Sequence, residues 1–377
     1  MIERPHRKEP ERSVSPDTLP ALKVPNKVVW VNKNLLAPFE LVPGEESDLG
    51  LMLTLSKKED DRASFDLGVR AAHRRSGDIG RVVFEDTQHR KYRDIDLKGV
   101  GLSGHNELHV EGLGPPFIQQ QWYRGRGDVR GLMERTDAET DAECAEQFTE
   151  WGIRTHRAIG IIALEQLSKD GKLQTVSQLK ENLTLPHGAE PVVEVRAFGT
   201  KARVSDMLLL NDAARKDALL ADVVGWLQTD LARTEPFSLP EYAHWFAETL
   251  GKNVGIMHRH DKMHGNLHQQ NITLDCRIVD LDSVRDLPRG PSLEEKHTAL
   301  LRDVMGLQTP VRREPGAEMV LSDFLRQLAN TSRGLSERDA TSLLAAFERA
   351  YIQEYPEGLN VLAWGRLQPK EIPPGRY

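Results

Sequence analysis

The sequence predicts an α+β protein of two lobes, a strand-rich first lobe that contains one helix and a helical second lobe. In the first half, short runs with strand-like patterns of apolar residues dominate, and one long helical stretch, 136–152, interrupts them. From about residue 205 onward, apolar residues recur at helical spacing instead. A polar segment, HGNLHQQNITLDCRIVDLD (264–282), follows neither pattern. We therefore expect this segment to carry the chemistry.

By composition the chain consists of a tail and the two lobes. Residues 1–26 are rich in charge and proline, and they contain too few apolar side chains to offset the entropy of an ordered chain. They also lack the apolar core of a secretory signal. We expect a mostly disordered tail over 1–26, a first lobe over 27–200 and a second lobe over 201–377.

Charge and cysteine content limit the partners and the compartment. The 377 residues carry a net charge of −7, which favours neither nucleic acid nor an anionic membrane as a partner. The two cysteines, Cys144 and Cys276, argue against a disulfide framework and fit a reducing cytoplasm. No apolar run approaches the roughly 20 residues of a membrane span. The stretch WYRGRGDVR (122–130) could suggest nucleic acid, but a loop near a substrate entrance fits an acidic chain better. A soluble cytoplasmic protein is expected.

The strands of the first lobe are expected at 27–32, 49–56, 80–86, 92–101, 158–167 and 190–199. The third and fourth of these strands form a hairpin. In the fourth, Asp96 and Lys98 alternate with apolar residues, so Lys98 shares a face with Asp96. The helix over 136–152 can be capped by Thr136 or Asp137, and acidic side chains fill its first turns.

The second lobe is expected to be mostly helical. Helices are predicted at 205–228, 238–258 and 336–355 from apolar spacing. Pro240, near the start of the second of these helices, is typical of a first helical turn.

The polar segment has the ligands of a magnesium site. Moving a phosphoryl or nucleotidyl group requires a divalent metal, because negative charge spreads over the phosphate oxygens in the transition state. Mg²⁺ prefers carboxylate and amide oxygens, which Asn271 and Asp280 supply. The stretch between them, 272–279, reads as a short hairpin with Asp275 at its turn. A hairpin brings its ends together, so both side chains could reach one Mg²⁺ or Mn²⁺ ion.

Other residues of the segment support this interpretation or offer alternatives to it. His264 would hold the loop through backbone hydrogen bonds, and Asp282 is a further acid on the strand face of Asp280. Taken alone, any one Asn or Asp here is more often a turn residue. The histidines of this region could instead bind zinc, or be solvated at a helix end: His258, His260, His264 and His268.

The segment HGNLHQQN (264–271) resembles the HGDLHxxN signature of aminoglycoside and choline kinases. In that signature the Asp after the Gly accepts a proton from the substrate hydroxyl. This chain has Asn266 at that place, and an amide cannot accept a proton at neutral pH. We therefore expect a metal, a lysine and arginines to supply most of the catalytic effect, since positioning and charge stabilisation dominate such transfers.

Several segments resemble the selenoprotein O family, kinase-fold proteins that transfer AMP from ATP to protein hydroxyls. LKGVG (97–101) is similar to that family's LKGAG, WGIRTHRAIG (151–160) to its LGIPTTRAL, and SGDIGRVVFED (76–86) more loosely to its LGDGRA. VRAFGTKARV (195–204) keeps two arginines at the family's spacing. The resemblance covers roughly residues 76–282. It implies a two-lobed protein-kinase-like fold whose N-lobe contains an αC-like helix.

The resemblance also implies roles for single residues. Contacts to ATP phosphates fall on Lys98, Arg196 and Arg203, and the metal falls on Asn271 and Asp280. The helix acid that pairs with the lysine aligns best with Asp141, and Glu139 and Glu143 are neighbouring candidates. The chain departs from the family at Gln270, where the family has Asp.

Three of these assignments have plainer alternatives. The turn RRSGDIG (74–80) could cover phosphates through backbone N–H groups at Gly77 and Gly80, but a plain hairpin turn has the same composition. Lys98 could be a solvated lysine beside Asp96. The two arginines could form surface salt bridges, although the planar fork of arginine suits phosphate oxygens well.

The leading functional expectation is a Mg²⁺- and ATP-dependent nucleotidyltransferase that moves AMP to Ser, Thr or Tyr hydroxyls of a protein acceptor. Its catalytic residues are expected to be Asn266, Gln270 and Asp282. One alternative is a phosphotransferase that acts on a small molecule or a protein. Another is a pseudokinase scaffold that binds nucleotide, or nothing, and works through a partner.

Overall fold

The computed structural model describes residues 17–53, 63–69, 76–101, 131–169, 172–182, 185–210, 212–287, 292–308, 313–329, 331 and 337–367. The chain divides into two compact units: the first comprises 1–146, 156–202 and 217–236, and the second comprises 147–155, 203–216 and 237–377. The protein is of mixed α/β type, with a strand-rich sheet and a set of helices. At this level the predicted fold class is confirmed.

The described elements of the first part of the chain are β1 (Asp17–Lys23), β2 (Asn26–Val31), β3 (Leu51–Leu53), β4 (Ala63–Val69), β5 (Ser76–Glu85), β6 (Lys91–Lys98), β7 (Met133–Glu134), α1 (Arg135–Glu150), β8 (Arg157–Leu164), β9 (Gln166–Lys169), β10 (Lys172–Thr175), α2 (Val176–Glu181) and β11 (Pro191–Phe198). Those that follow are α3 (Val204–Leu209), α4 (Ala213–Asp230), α5 (Leu239–Arg259), β12 (Lys262–Met263), β13 (Arg285–Asp286), α6 (Leu293–Val304), β14 (Gly306–Gln308), β15 (Arg313–Pro315), α7 (Ala317–Ala329), α8 (Glu337–Glu354) and α9 (Gly358–Leu367).

A large antiparallel sheet organises the first unit. Its strands lie in the order β2-β8-β11-β6-β5-β4-β1-β3, and the short β7 pairs with β11. The predicted hairpin is confirmed, since β5 pairs with β6. The central strands β6 and β11 pair so that Arg196 lies opposite Asp96 and Glu194 lies opposite Lys98.

Helix α1 covers one face of this sheet, and the helix predicted over 136–152 is thereby confirmed. Ala138 and Ala142 of α1 pack with Val192 of β11. Because side chains alternate across a strand, Glu194 and Arg196 lie on the same face of β11 as Val192. The alternate residues of β11 enter the larger apolar core on the other face. Polar side chains of the central strands are therefore covered by α1.

The prediction of a disordered tail is wrong for residues 17–26. Strand β1 and the start of β2 occupy this stretch, and Ala21, Leu22 and Val24 are buried in the core of the sheet. The composition of 1–26 was judged as a whole, and the charged residues at its start outweighed the apolar residues near its end. Residues 1–16 lie outside the described part of the chain.

The predicted glycine turn over 74–80 is wrong where the structure describes it. Gly77 and Gly80 lie inside β5 and pair with β6, so their backbone belongs to the sheet. A Cβ at Gly77 would lie 2.6 Å from Leu67 Cδ1, and Gly80 has a φ of +132° where the strand register shifts. The glycines serve close packing and a strand irregularity.

The expected boundary after residue 200 lies close to the observed division between Ala202 and Arg203, but one later segment returns to the first unit. This segment, 217–236, includes the second part of α4. Asp222 in α4 accepts two hydrogen bonds from Arg81 and two from Arg93, at 2.8–3.2 Å. These bonds fix the helix against the β5–β6 hairpin.

Helices dominate the second unit, as predicted. Helix α5 begins where Ser238 Oγ accepts a hydrogen bond from the Glu241 N–H, a standard helix N-cap. It packs closely on α8, because a Cβ at Gly251 would lie only 2.2 Å from the Phe347 carbonyl oxygen. Among the described helices, none combines the length and the apolar character that crossing a bilayer requires.

Candidate functional site

A buried group of charged side chains lies in the first unit, between the sheet and α1. Lys98, at the end of β6, is 2% exposed, and its Nζ lies 3.7 Å from Asp141 Oδ1 of α1. Asp141 lies on the stripe of α1 that carries Ala138 and Ala142, so the helix packing turns it toward the strands. The predicted Lys98–Asp141 pairing therefore has the expected geometry.

Two residues that the sequence did not single out complete this group. A hydrogen bond of 2.5 Å joins His156 Nε2 to Asp141 Oδ2, and both side chains are fully buried. Glu194 lies opposite Lys98 in the sheet and is also fully buried. Within the described residues, neither oxygen of the Glu194 carboxyl group has a hydrogen-bond partner of good geometry. Asp141 thus lies among a lysine, a histidine and a second acid.

Arg196 belongs to the same face of the sheet. Its Nε and Nη2 donate to the two carboxylate oxygens of Asp96 at 3.0 and 3.1 Å, and its guanidinium lies over the ring of Phe198. Both members of this bidentate pair are fully buried. The surface salt bridge considered for Arg196 is therefore wrong; the ion pair is internal to the first unit.

The pKa values of the two acids in this group, Asp141 and Glu194, are shifted in opposite directions. Burial alone would raise the pKa of Asp141, but the charges of His156 and Lys98 hold that pKa well below its usual range. Burial and the neighbouring charge of Asp141 raise the pKa of Glu194 well above its ordinary value, against the opposing effect of Arg196 and Lys98. Glu194 is thus the acid that keeps its proton beside an ionised Asp141.

The same residues include the one metal-compatible cluster found among the described side chains. Ligand atoms of Asp141, His156 and Glu194 all lie within 4.8 Å of one another. A cation would have to enter next to the ammonium group of Lys98, 3.7 Å from Asp141. Because Lys98 already supplies a positive charge at this point, the cluster fits an internal ion-pair network better than a metal site.

The predicted metal ligands lie in the second unit, at the two ends of a hairpin. Ile272 and Ile278 form an antiparallel bridge, and the Val279 N–H donates to the Asn271 carbonyl at 3.0 Å. This pairing confirms the hairpin predicted between Asn271 and Asp280, and it brings the two residues to the same end. Asp280 has left-handed backbone angles, φ 64° and ψ 54°, and precedes a 3₁₀ turn.

The side-chain amide of Asn271 has a fixed orientation. Its Nδ2 donates to the Asn266 carbonyl at 2.9 Å, and the residue is 1% exposed. The amide nitrogen is therefore committed to the loop, and Oδ1 is the atom that can serve a metal ion. Asp280 follows two positions after the strand bridge at Ile278. The amide oxygen of Asn271 and the carboxylate of Asp280 are ligands of the kind that Mg²⁺ prefers.

An aspartate of α6 fixes the start of the loop. Both carboxylate oxygens of Asp303 accept backbone bonds, from His264 N at 2.6 Å and from Gly265 N at 2.7 Å. The side chain of His264 spans the loop, with Nε2 bonded to the Val279 carbonyl at 2.9 Å and Nδ1 to Ser283 Oγ at 3.1 Å. The predicted supporting role of His264 is thus seen in its contacts, and Asp303 is an anchor that the sequence did not reveal.

The remaining predicted catalytic residues lie on the same loop and the turn after it. Asn266 and Gln270 are exposed, and Asp282 is half-buried in the 3₁₀ turn. Arg203 is buried; its Nη1 donates to the Gln270 carbonyl, and its backbone N–H bonds Asp206 at 2.9 Å. Arg203 therefore holds the loop from the N-terminus of α3, and a surface salt bridge is excluded for it as well.

The rings of the four histidines considered as zinc ligands contact different groups. His258 contacts Tyr351 and Asp303, and His260 stacks on Trp151 with ring centroids 4.0 Å apart. His264 is committed to the loop as described, and His268 Nδ1 accepts from the Gln270 N–H. Their contacts do not converge on one point.

The sequence-predicted residues thus form two groups. Lys98, Asp141 and Arg196 belong to the buried group of the first unit, together with the unpredicted His156 and Glu194. Those of the second unit are Arg203, Asn266, Gln270, Asn271, Asp280 and Asp282, together with the unpredicted Asp303. Glu139 pairs with Arg135 and Glu143 is exposed, so among the three helix acids it is Asp141 that lies beside Lys98.

No known protein family and no curated protein matches the chain. Among solved structures, it is similar to a Toxoplasma gondii specific rhoptry antigen kinase domain, with 7% sequence identity, 79% of each chain covered and a TM-score of 0.33. A likeness at this level assigns neither a family nor an activity.

Proposed function

We propose that the chain is an ATP-dependent transferase with a protein-kinase-like fold, which uses Mg²⁺ or Mn²⁺ to move AMP to hydroxyls of a protein acceptor. One observation supports the proposal most: the backbone bond from Val279 to Asn271 places Asn271 opposite the residue before Asp280, at the end of an anchored loop. An amide oxygen and a carboxylate are a donor set that Mg²⁺ takes when phosphates and water complete its coordination.

In the second unit, Asn271 Oδ1 and the Asp280 carboxylate would hold the metal. The ion, when bound, supplies positive charge to the phosphate oxygens of ATP. The protein contributes rigidity: Asp303 and His264 fix both sides of the loop through backbone bonds. Ligands that are held in place by a surrounding shell bind more tightly than flexible ones.

In the first unit, Lys98 would contact ATP phosphates, with Asp141 holding it in place. In kinases a strand lysine pairs with an acid of the following helix in this way. Here the lysine ends β6 and the acid lies on α1, the next helix among the described residues. Arg196 and Arg203 remain proposed phosphate contacts, and each would have to give up part of its present bonding to act so.

The amide at position 266 is compatible with catalysis. A general base contributes roughly 10² to 10⁴-fold in rate, while electrostatic stabilisation of the transferred group is the larger effect. Asn266 and Gln270 would position the acceptor, and Asp282 would add a carboxylate near the metal ligands.

A second candidate function rests on a different observation. Lys98 is almost completely buried, and Asp141 is shared between Lys98 and His156. An internal ion-pair network of this kind can stabilise a scaffold that binds no nucleotide. Direct measurement of nucleotide binding separates this candidate from an enzyme.

The deciding experiment combines purified chain, Mg²⁺ and ATP that is labelled separately on the α- and the γ-phosphate. Label from the α-phosphate on protein, with an AMP-sized gain in intact mass, would support nucleotidyl transfer. Label from the γ-phosphate would support a phosphotransferase. ATP binding without transfer, or no binding at all, would favour the scaffold.

Asp280→Asn tests the site assignment. Asparagine tolerates the left-handed backbone of this position, so the change removes a charge with little strain. We expect transfer to fall by roughly tenfold or more, with the midpoint of urea unfolding nearly unchanged. Glu248→Gln is the matched control, since Glu248 is an exposed acid of α5 in the same unit. Equal activities of the two variants would rule out Asp280 as a metal ligand.

A further inference from the structure

We infer that this site also transfers to an oxyanion, a carboxylate or phosphate oxygen that is already ionised, and that Asn266 binds this acceptor by donating a hydrogen bond. The inference rests on the proposed function and goes beyond it by adding an acceptor that needs no base. A carboxylate and a phosphate share the chemistry that matters here, a negatively charged nucleophilic oxygen.

Asn266 combines a fixed backbone with an exposed side chain. Its carbonyl oxygen accepts the Asn271 Nδ2 hydrogen bond at 2.9 Å, so its backbone is fixed beside the predicted metal ligand. Its side chain, by contrast, is exposed. The backbone two residues before it is anchored by Asp303. Asn266 therefore presents an amide to solvent from a rigid loop at the metal end of the hairpin.

A second exposed amide comes from the same loop. Gln270 is fixed at its backbone, where its N–H bonds His268 Nδ1 at 3.1 Å and its carbonyl accepts from Arg203. Its side chain is exposed. The loop therefore offers two amide groups, which can donate N–H bonds but carry no charge and take no proton.

A hydroxyl acceptor has to lose its proton during the transfer, and the side-chain amides of Asn266 and Gln270 cannot receive it. A carboxylate or phosphate has no such proton at neutral pH. A carboxylate at position 266 would repel an anionic acceptor, whereas an amide N–H binds it. Asn266 cannot take the proton of a hydroxyl acceptor, but its amide N–H can bind an oxyanion.

The transfer balances without a base. A lone pair of the acceptor oxygen forms the new bond to phosphorus, while the bond from that phosphorus to the leaving oxygen breaks and its electron pair stays on that oxygen. Attack at the α-phosphorus releases pyrophosphate, and attack at the γ-phosphorus releases ADP. The product is an acyl-phosphate anhydride from a carboxylate and a phosphoanhydride from a phosphate, and no proton, oxidant or reductant enters the step.

Asp282 offers the competing explanation. It is a half-buried carboxylate two residues beyond Asp280, and it could act as a base for a hydroxyl. If it does, Asp282→Asn should abolish transfer to a hydroxyl acceptor. An oxyanion acceptor needs no base, so the ratio of transfer to the anion over transfer to glycerol should rise in Asp282→Asn, and an unchanged ratio would count against Asp282 as a base.

The experiment uses the full chain with Mg²⁺, ATP labelled on both phosphates in separate tubes, and three probes at equal high concentration. Succinate supplies a carboxylate, inorganic phosphate supplies a phosphate, and glycerol supplies hydroxyls. We expect label on succinate or phosphate, and the rate with succinate, whose carboxylates are already ionised, should change little from mildly acidic to mildly alkaline pH. Product on succinate should be converted to a hydroxamate by hydroxylamine, which leaves phosphoesters of glycerol intact.

Binding gives an independent readout. Succinate or phosphate is titrated by calorimetry into the chain with a non-hydrolysable ATP analogue. Asn266→Asp should weaken anion binding and anion transfer by roughly tenfold or more and should raise transfer to glycerol. Asn266→Ala removes the amide without adding charge, so it should weaken anion binding without helping glycerol. Asn360→Asp, at an exposed position of α9, is the matched control and should change neither.

Each other result overturns the inference. Faster transfer to glycerol than to either anion, with a rate that rises with hydroxide, would identify a hydroxyl acceptor and leave the proposed transferase standing. ATP turnover without label on any probe, or equal effects of Asn266→Asp and Asn360→Asp, would also refute it. An absence of ATP turnover, with or without nucleotide binding, would remove the proposed function itself.

Discussion

Replacing Glu194 by Gln should remove a pH-dependent loss of stability that the native chain carries in its first unit. Glu194 is fully buried between Lys98 and Asp141, where burial and the charge of Asp141 raise its pKa well above the ordinary 4.5. Glutamine has the size and hydrogen-bonding ability of the protonated acid but no proton to lose. The substitution therefore isolates the titration of this one group.

The direction and size of the effect follow from linkage. Above about pH 4.5 the unfolded chain has lost the Glu194 proton while the folded chain retains it, so the folded state binds more protons. Stability then falls as pH rises, by about 1.4 kcal/mol per pH unit, until the pH passes the raised pKa of the folded state. This contribution is fully present below the unfolded pKa and is lost above it. Asp141, whose pKa is lowered, titrates below this window.

The assay is urea unfolding, followed by circular dichroism at a series of pH values. As pH rises above about 5, the difference in unfolding free energy between Glu194→Gln and the native chain should shift in favour of the variant, by at most about 1.4 kcal/mol per pH unit. Glu143→Gln is the matched control, because Glu143 is an exposed acid of α1 in the same unit. Parallel stability curves for the native chain and Glu194→Gln would refute the assignment of the retained proton to Glu194.

Two further changes test the second unit. Asp303→Asn keeps one of the two acceptors that bind the His264 and Gly265 N–H groups, so it should lower the unfolding free energy by roughly 1 to 3 kcal/mol; an unchanged urea midpoint would contradict this anchoring. Gly251→Ala puts a Cβ 2.2 Å from the Phe347 carbonyl oxygen and should lower the unfolding free energy by roughly 1 to 3 kcal/mol. Gly225→Ala in α4 is the contrasting case: nothing lies within 4 Å of its Cβ, so it should raise the melting temperature.

Local signals in the sequence were sufficient to predict the hairpin between Asn271 and Asp280. These two residues flank a short run whose turn is marked by Asp275, and the run pairs with itself at Ile272 and Ile278. The pairing of Lys98 with Asp141 joins distant parts of the chain, and it was found by combining strand alternation with a family resemblance.

The residues that were missed depend on contacts that no local pattern encodes. Glu194, like the predicted Arg196, alternates with apolar residues in β11, which is typical of a strand with one solvated face. They are buried because α1 covers that face, and α1 comes from elsewhere in the chain. Asp303 is one acid on an amphipathic helix, and its role depends on a loop 38–39 residues earlier. The signal for Glu194 is a charged residue on a strand whose neighbouring strands are buried, because such a residue is itself expected to be buried.

The segment 217–236 illustrates the same limit. Its helical periodicity was correctly recognised, but periodicity specifies that a helix has an apolar side, not which surface that side will cover. The bonds of Asp222 to Arg81 and Arg93 decide this, and they join residues more than a hundred positions apart.

The bidentate pair of Arg196 and Asp96 restricts how this protein can evolve. Losing either partner alone leaves a buried charge without compensation, a defect of about 3 to 5 kcal/mol that could exhaust the stability of a typical domain. An exchange for two apolar residues would be tolerated far better, but it needs two codon changes with a damaged intermediate between them. Homologous chains that share this sheet should therefore show positions 96 and 196 varying together or not at all.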